Sequence, residues 1–156
     1  MALIGYRWAG DPREGKAAYA VVRDLTDSYP GFESWFFGTA MPDLATGRGR
    51  MLLAEQDGQV VGLALGKRDD TETKLRCLRV VPRLRGRGIG AGLVDRMLEG
   101  LGCDRPLVTV PQDMLHEHAA TFVNRYGFAL TRVERGLYRE GRLEYVFNGS
   151  GAETLR

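Results

Sequence analysis

The chain contains few of the residues that mark several common protein classes. Only two cysteines, Cys77 and Cys103, occur in 156 residues, and their spacing fits no metal-binding motif. They predict two free thiols in a reducing compartment rather than a disulfide framework. No apolar run approaches the roughly 18 residues that a membrane span needs, and residues 1–5 show no signal peptide. The sequence therefore predicts a cytoplasmic protein that is not attached to a membrane.

An excess of charge of one sign is also missing. Twenty-two Lys and Arg residues against 20 Asp and Glu residues leave a net charge of +2, which does not call for a nucleic-acid partner. An apolar content of 44% is ordinary for a globular protein. The length fits one domain, expected over residues 1–148, and residues 149–156 are predicted to form a flexible tail.

Apolar spacing and turn residues predict a mixed order of strands and helices. Strand-like composition or alternation occurs in seven segments: 3–8, 50–56, 60–67, 73–81, 107–110, 128–135 and 143–147. Helical spacing occurs in four segments: 11–28, 32–36, 88–100 and 116–126. Asp57-Gly58 predicts a tight hairpin turn, whereas residues 39–49 predict a loop. This order predicts an α/β domain of the α+β type, and it differs from the regular alternation of a doubly wound fold.

The most informative segment is residues 80–90, where a strand-like run stops at Pro82 and a helical pattern opens at Ile89. Three alternating glycines, at positions 86, 88 and 90, allow close approach of a ligand to the backbone. The first amides of a helix have no partner inside the helix, and the helix dipole there favours negative charge. The segment therefore predicts a phosphate site, although a plain basic surface turn has the same composition.

Two common nucleotide-binding loops do not fit this segment. No Gly-x-x-x-x-Gly-Lys-Ser/Thr string occurs anywhere in the chain. The glycines from Gly86 to Gly92 recur at every second position, which is the wrong period for the dinucleotide-binding fingerprint. A P-loop and a Rossmann loop are both disfavoured.

The spacing Arg85-x-x-Gly88-x-Gly90, preceded by Val80-x-Pro82 and followed by a helix, resembles the signature of the GNAT superfamily of acyl-CoA-dependent N-acyltransferases. The element order is similar as well, and so is the Gly-Phe pair that follows the fourth helix at 127–128. The resemblance covers about residues 50–135. It implies a GNAT fold, in which about four helices flank a central mixed, mostly antiparallel sheet of six to seven strands. It also implies an acetyl-CoA-dependent N-acetyltransferase that uses no metal and acts on a primary amine.

The resemblance further implies how the cosubstrate is held. Backbone amides from Arg85 to Ala91 would bind the pyrophosphate of acetyl-CoA, with charge added by Arg85 and Arg87. The end of the fourth strand would pair with the pantetheine arm, and the Val80 amide would act as an oxyanion donor to the thioester carbonyl. The implied cofactor-binding residues are Leu78, Arg79, Val80, Arg85, Gly86, Arg87, Gly88, Ile89, Gly90 and Ala91.

The chain departs from the family pattern in its proton chemistry. Many members place a general-acid tyrosine where this chain has Val123, which cannot donate a proton. His116 stands where some relatives have a cofactor-contacting asparagine, and it can carry a proton near neutral pH. Glu72 is the acid nearest to the position of the family's catalytic glutamate, and it can act as a base through water. Three tyrosines are candidates by type, although each also suits a structural role: Tyr126, Tyr138 and Tyr145.

The identity of the acceptor stays open. Lys74 and Arg76 share one strand face by the two-residue period and suit an acceptor that carries a carboxylate or phosphate. Glu33, in an aromatic segment that contributes to the core or to a pocket, favours a cationic amine instead. The acceptor can be a small molecule or a protein, and the enzyme a monomer or a homodimer. A non-catalytic acyl-CoA-binding or regulatory module is the alternative function.

Overall fold

Seven strands form two antiparallel sheets in the computed structural model, which describes residues 3–149. The strands are β1 (Gly5–Ala9), β2 (Gly49–Gln56), β3 (Gln59–Arg68), β4 (Thr73–Val80), β5 (Val108–Pro111), β6 (Leu130–Arg135) and β7 (Leu143–Phe147). The first sheet has the order β1-β2-β3-β4 and the second the order β5-β7-β6. A parallel bridge between Lys74 and Leu107 joins the two sheets.

Helices cover both faces of the first sheet. They are α1 (Gly15–Val22), α2 (Phe32–Trp35), α3 (Met41–Ala45), α4 (Ile89–Leu101) and α5 (Leu115–Ala120). All of residues 61–66 of β3 are buried, which requires that both faces of this strand be covered. The apolar stripe of α4 (Ile89, Leu93, Val94, Met97 and Leu101) is buried, and α4 packs on β3 and β4.

The predicted hairpin between β2 and β3 is confirmed. Asp57 and Gly58 both have positive φ, at 53° and 78°, as a tight two-residue turn between antiparallel strands needs. This turn sets the register in which Gln56 pairs with Gln59. The second antiparallel pair, β6 with β7, was also predicted from the sequence and is present.

The prediction of a loop over residues 39–49 is wrong for most of its length. A π-helical turn at Phe36–Ala40 continues directly into α3. Pro42 lies in the first turn of α3, where a missing amide proton costs no hydrogen bond. Met41 and Leu44 gain burial in the core, which outweighs the local turn signals. The helix fixes the position of Asp43, which matters for the pocket described below.

The two sheets separate just after they meet. The Leu75 amide donates to the Leu107 carbonyl at 3.0 Å, and the Leu107 amide donates to the Thr73 carbonyl at 2.9 Å. Next along β4, Arg76 is the extra residue of a β-bulge, because Gly66 pairs with Leu75 and Leu65 with Cys77. The described part of the chain provides no strand that pairs with β4 from Cys77 onward on the side away from β3.

This free edge of β4 exposes peptide groups toward the gap between the sheets. The Val81 amide donates to the Val61 carbonyl of β3 at 2.9 Å. Because amides alternate in direction along a strand, those of Leu78 and Val80 face away from β3. The fold therefore presents two successive amide donors to the gap.

Several predictions concern features outside the sheets. Cys77 and Cys103 are free thiols, as expected. No helix within residues 3–149 is long and apolar enough to cross a bilayer. Of the predicted tail, only Gly149 is described, and its amide donates to the Thr131 hydroxyl at 3.0 Å. The other tail residues lie outside the described part.

Candidate active site

A groove of about 520 Å³ runs along the free edge of β4 and is closed by α4 and α5. Nine of the ten cofactor positions implied by the sequence line it, and the exception is Arg87. The groove therefore gathers the end of β4, the glycine loop and the start of α4 into one surface. From α5 and the helical turn that follows it, Glu117, His118 and Phe122 form the opposite wall.

The glycine loop turns its backbone toward this groove. Gly86 and Gly88 have φ of 77° and 86°, a left-handed conformation that residues with a Cβ rarely adopt. A Cβ at Gly88 would meet nothing within 4 Å, so open space lies in front of this position. The first intrahelical bond of α4 runs from the Gly92 amide to the Gly88 carbonyl at 3.0 Å. The amides of residues 89–91 precede that bond and are free to bind an anion.

The arginines of the groove are engaged with protein groups. The Arg85 Nε donates to the Val80 carbonyl at 3.1 Å, and Arg85 Nη1 lies 3.5 Å from the Glu117 carboxylate. Arg79 pairs with Asp24 and lies 3.6 Å from Glu117. Since these guanidinium groups already have partners, the backbone amides are the uncommitted donors of the groove.

A small cavity of about 50 Å³, called the passage below, lies between β4 and β5 and shares lining residues both with the groove and with a second pocket. Leu78 and His118 line both the groove and the passage. Tyr29, Arg76 and Thr109 line both the passage and the second pocket. The groove and the second pocket therefore border the same gap between the two sheets.

The second pocket, of about 260 Å³, has largely aromatic walls. Tyr29, Phe32, Trp35 and Tyr138 contribute these walls, so the aromatic segment is partly core and partly pocket. Glu33 is exposed and does not line the pocket. The expectation that Glu33 attracts a cationic amine therefore receives no support from its position.

The two cations predicted on one face of β4 both line the pocket, but only one is uncompensated. Arg76 Nη1 lies 2.7 Å from Asp43 Oδ2, and both side chains are less than 15% exposed. The Arg76 guanidinium also lies 5.1 Å from the centre of the Trp35 ring. Lys74 Nζ lies 3.5 Å from the Tyr138 hydroxyl and, among residues 3–149, has no carboxylate within ion-pair distance. Within the described residues, Lys74 is therefore the cation of the pocket that no ion pair neutralises.

The three sequence-predicted proton carriers lie apart from one another. Glu72 lines the second pocket and accepts a hydrogen bond from Lys67 at 3.1 Å. It lies just before β4, and eight residues of extended chain, about 26 Å, separate it from Val80. His116 is exposed and lines neither the groove nor the pocket. The Tyr126 hydroxyl lies 2.7 Å from Asp95 and 3.1 Å from the Ala91 carbonyl.

Tyr126 is held in a structural position. Burial, followed by the hydrogen bond to Asp95, raises the pKa of its phenol to about 12. Its contacts tie the end of the α5 segment to α4, and its side chain does not line the groove. The structure therefore places neither Tyr126 nor His116 at the passage.

Three residues that are not among the predicted site residues lie at or beside the passage. His118 stacks on Phe122 with ring centres 5.5 Å apart, and burial lowers its pKa, which keeps the imidazole neutral. Burial raises the pKa of the Tyr29 phenol. Glu144 is 1% exposed, and burial raises the pKa of its carboxyl to about 7. The burial of Glu144 could not be predicted from the sequence of β7, because a glutamate between Leu143 and Tyr145 suggests a solvent-facing position.

Within the described residues, no group of three or more His, Cys, Asp and Glu side chains is placed to hold a metal ion. The polar chemistry at the passage comes from Tyr29, Arg76, Thr109 and His118.

Comparison with known proteins identifies the fold and the family. Residues 47–130, more than half of the chain, match the family model of the acetyltransferase (GNAT) domain. A GNAT-family protein from Desulfovibrio desulfuricans is 16% identical with a TM-score of 0.72, covering 93% of this chain and 97% of that one. A GNAT-family acetyltransferase from Bacillus cereus is 19% identical with a TM-score of 0.68, covering 99% of both chains.

A further similar structure was solved with a ligand. The PaiA N-acetyltransferase from Thermoplasma acidophilum, in complex with coenzyme A, is 14% identical with a TM-score of 0.66 and covers 92% of this chain and 98% of that one. These likenesses confirm the predicted GNAT fold, and the match of residues 47–130 confirms the predicted enzyme class. The chain belongs to the GNAT family of acetyltransferases.

Proposed function

We propose that the protein transfers the acetyl group of acetyl-CoA to a primary amine by direct attack through a tetrahedral intermediate. The observation that carries this proposal is the passage between β4 and β5. It lies between a groove with phosphate-binding geometry and a separate aromatic pocket, and it shares lining residues with both. Two substrates bound on opposite sides of the sheet junction can react there without a covalent enzyme intermediate.

The groove suits acetyl-CoA by its backbone. The unpartnered amides of residues 89–91 and the left-handed Gly88 form a cradle for the pyrophosphate at the positive end of α4. The free edge of β4 can pair with the amide groups of the pantetheine arm as an added strand would. Coenzyme A bound to the Thermoplasma acidophilum PaiA N-acetyltransferase shows that this fold accommodates such a ligand.

The oxyanion of the tetrahedral intermediate needs donors at the passage. The amides of Leu78 and Val80 face the gap, and Leu78 lines both the groove and the passage. Backbone donors of this kind are fixed before the reaction and stabilise the charge as it develops. When the intermediate collapses, the carbon–sulfur bond breaks and the nitrogen passes a proton to the thiolate.

The second pocket suits an amine that carries an aromatic or apolar group and a carboxylate. Its aromatic walls provide apolar contact, and Lys74 is a cation that a carboxylate can pair with. Arg76 is already neutralised by Asp43, so it adds little attraction of its own. A free amino acid with an apolar or aromatic side chain combines these features with an amine.

The donor half of the proposal is tested by calorimetric titration with acetyl-CoA and free CoA. The variant Gly88→Trp places a large side chain in the open space before the cradle, and we expect it to abolish measurable binding of both. Gly58→Trp is the matched control, because Gly58 also has positive φ and open space but lies in the β2–β3 turn. Equal affinity in Gly88→Trp and Gly58→Trp would contradict the assignment of the groove.

The transfer half is tested by measuring release of CoA thiol with a panel of amines. We expect amine-dependent release in the wild type and loss of it in Gly88→Trp. Tight binding of acetyl-CoA with no release for any amine would instead favour a non-catalytic acyl-CoA-binding module.

A further inference from the structure

Glu144 is a buried carboxyl that the fold does not use for hydrogen bonding. It lies on β7, opposite Pro111 of β5 and Glu134 of β6, and is 1% exposed. Neither carboxylate oxygen has a hydrogen-bond partner at normal distance among residues 3–149. An ionised carboxylate in such a place is unfavourable for stability, so its position points to a role other than holding the strands together.

Charged groups surround Glu144 on several sides, but they are largely committed to one another. Arg139, from the β6–β7 turn, lies 2.7 Å from Asp113, which follows β5. On β6, Glu134 pairs with Arg132. Lys74 of β4 and Arg139 favour the charged form of Glu144, whereas Asp113 disfavours it. Burial is the largest influence, and the resulting pKa of about 7 leaves the carboxyl able both to take and to release a proton near neutral pH.

Tyr29 connects this carboxyl to the reacting centre. The Tyr29 side chain lines both the passage and the second pocket. No hydrogen bond of normal length joins its hydroxyl to Glu144. The two groups are nevertheless close enough for the Tyr29 hydroxyl to lower the pKa of the Glu144 carboxyl, against the larger effect of burial. Glu144 also pairs across the sheet with Pro111, which lines the passage. A proton leaving an amine in the pocket therefore has the Tyr29 side chain at the passage, and a buried carboxyl without a hydrogen-bond partner lies near that side chain.

We propose that Glu144 is the final acceptor of the proton that the substrate ammonium loses, and that the Tyr29 hydroxyl relays it. The ammonium N–H bond breaks and its proton binds the Tyr29 oxygen, while the original Tyr29 proton binds a Glu144 oxygen. The products of this step are a neutral amine, an unchanged tyrosine and a neutral carboxylic acid. After acetyl transfer, Glu144 releases its proton to solvent, which returns the enzyme to its starting state.

Glu72, the acid expected from sequence, is less suited to this step. It forms an ion pair with Lys67 and lies before β4 begins. Its carboxylate therefore already has an ion-pair partner, whereas neither carboxylate oxygen of Glu144 has a hydrogen-bond partner among the described residues.

The test uses two amines with acetyl-CoA and the intact protein. Phenylalanine is largely protonated near neutral pH and needs a base, whereas hydroxylamine is largely unprotonated and does not. We expect Glu144→Gln to lower kcat with phenylalanine by about 10²–10⁴-fold, the range for losing general base catalysis, and to change the hydroxylamine rate by only a few-fold. Tyr29→Phe should show the same split, and the double variant should lose no more than either single one.

A pH profile separates this role from a structural one. The wild-type kcat/KM for phenylalanine should rise through an apparent pKa near 7, and that limb should disappear in Glu144→Gln. The control is Glu140→Gln, the same substitution at an exposed position of the neighbouring turn, which should leave rate and profile unchanged. Equal losses with both amines, or a Glu144→Gln profile that keeps its limb, would overturn the relay. The inference rests on the proposed function, which fails separately if the wild type neither binds acetyl-CoA nor acetylates either amine.

Discussion

The groove and the second pocket are built in opposite ways. The groove takes most of its surface from one continuous stretch, residues 78–91, and it offers backbone amides to its ligand. The pocket collects side chains from separate segments, among them Tyr29, Trp35, Lys74, Thr109 and Tyr138. Under the proposed function, the donor is held by a local backbone shape, whereas the acceptor is selected by side chains that only the folded chain brings together.

If that contrast is right, the loss of a charged side chain should have a large effect in the pocket and a small one in the groove. Among the charged side chains that line the two cavities, the largest effect is expected at Lys74. Lys74→Met removes the free cation of the pocket but keeps an unbranched apolar stem. Because hydrogen bonds to charged groups contribute about 1.5–3 kcal/mol, we expect a loss of about 10–100-fold in kcat/KM for phenylalanine.

Phenethylamine is the matched acceptor for this variant, since it lacks only the carboxylate of phenylalanine. Its kcat/KM should change by no more than a few-fold in Lys74→Met. Comparable losses of kcat/KM with both amines would show that Lys74 does not bind the carboxylate of the acceptor.

The next effect is on stability and concerns Glu144. Burial raises the pKa of this carboxyl in the folded state to about 7, from an ordinary value of 4.5. The folded protein therefore binds more protons here than the unfolded one, so holding Glu144 ionised is destabilising above pH 7 and the penalty fades as the pH falls toward 4.5. Glu144→Gln should be more stable than the wild type at pH 8 by about 1–2 kcal/mol, and the two should converge near pH 4.5.

Thermal unfolding at several pH values measures this difference. For a domain of this size, the expected gain is a rise in Tm of about 2–8 °C at pH 8. A Glu144→Gln variant that is less stable than the wild type at pH 8 would contradict the picture of an unpartnered carboxylate. Together with a loss of activity, a gain of stability would identify Glu144 as a group kept for the reaction.

A smaller effect is expected in the groove at Glu117. Its carboxylate lies 3.5 Å from Arg85 and 3.6 Å from Arg79, where it offsets the positive charge available to the phosphates of acetyl-CoA. Glu117→Gln should tighten acetyl-CoA binding by about two- to five-fold at low salt, because exposed charge pairs are worth up to about 1 kcal/mol. The gain should shrink at high salt, where exposed charges are screened. Weaker binding at every salt concentration would argue that Glu117 itself contacts the ligand.

The smallest effect is expected at Arg87, the one cofactor position of the motif that does not line the groove. Arg87→Ala should alter acetyl-CoA affinity by no more than about two-fold, since the screened charge of an exposed arginine contributes little. A ten-fold loss in a calorimetric titration would mean that side-chain charge, and not the backbone cradle, dominates donor binding.

The same contrast explains which features the sequence predicted. The glycine loop, the Asp57-Gly58 turn and α4 depend on local conformation. Their own residues are therefore enough to predict them. The helix through Met41 was missed because tertiary burial decided its structure against the turn signals of Pro42 and Gly47. Without this helix the position of Asp43 could not be predicted, and neither could its ion pair with Arg76. The sequence therefore could not tell which of the two cations, Lys74 or Arg76, remains available in the pocket.

The proton chemistry could not be predicted for a related reason. Tyr29 and Glu144 are 115 positions apart in the sequence, and no local pattern links them. Their relation depends on how β7 pairs with β5 and on how the segment before α2 folds over the sheet junction. Residue type and family spacing pointed instead to His116, which the structure leaves exposed at the start of α5.

The most direct test of the central claim is a crystal structure of the protein with CoA. We expect pyrophosphate oxygens within about 3 Å of the amides of residues 89–91. We also expect the pantetheine arm along the free edge of β4 and the thiol at the passage beside Leu78. Coenzyme A bound away from this groove, or a pyrophosphate held by arginine side chains with no contact to those amides, would contradict the account.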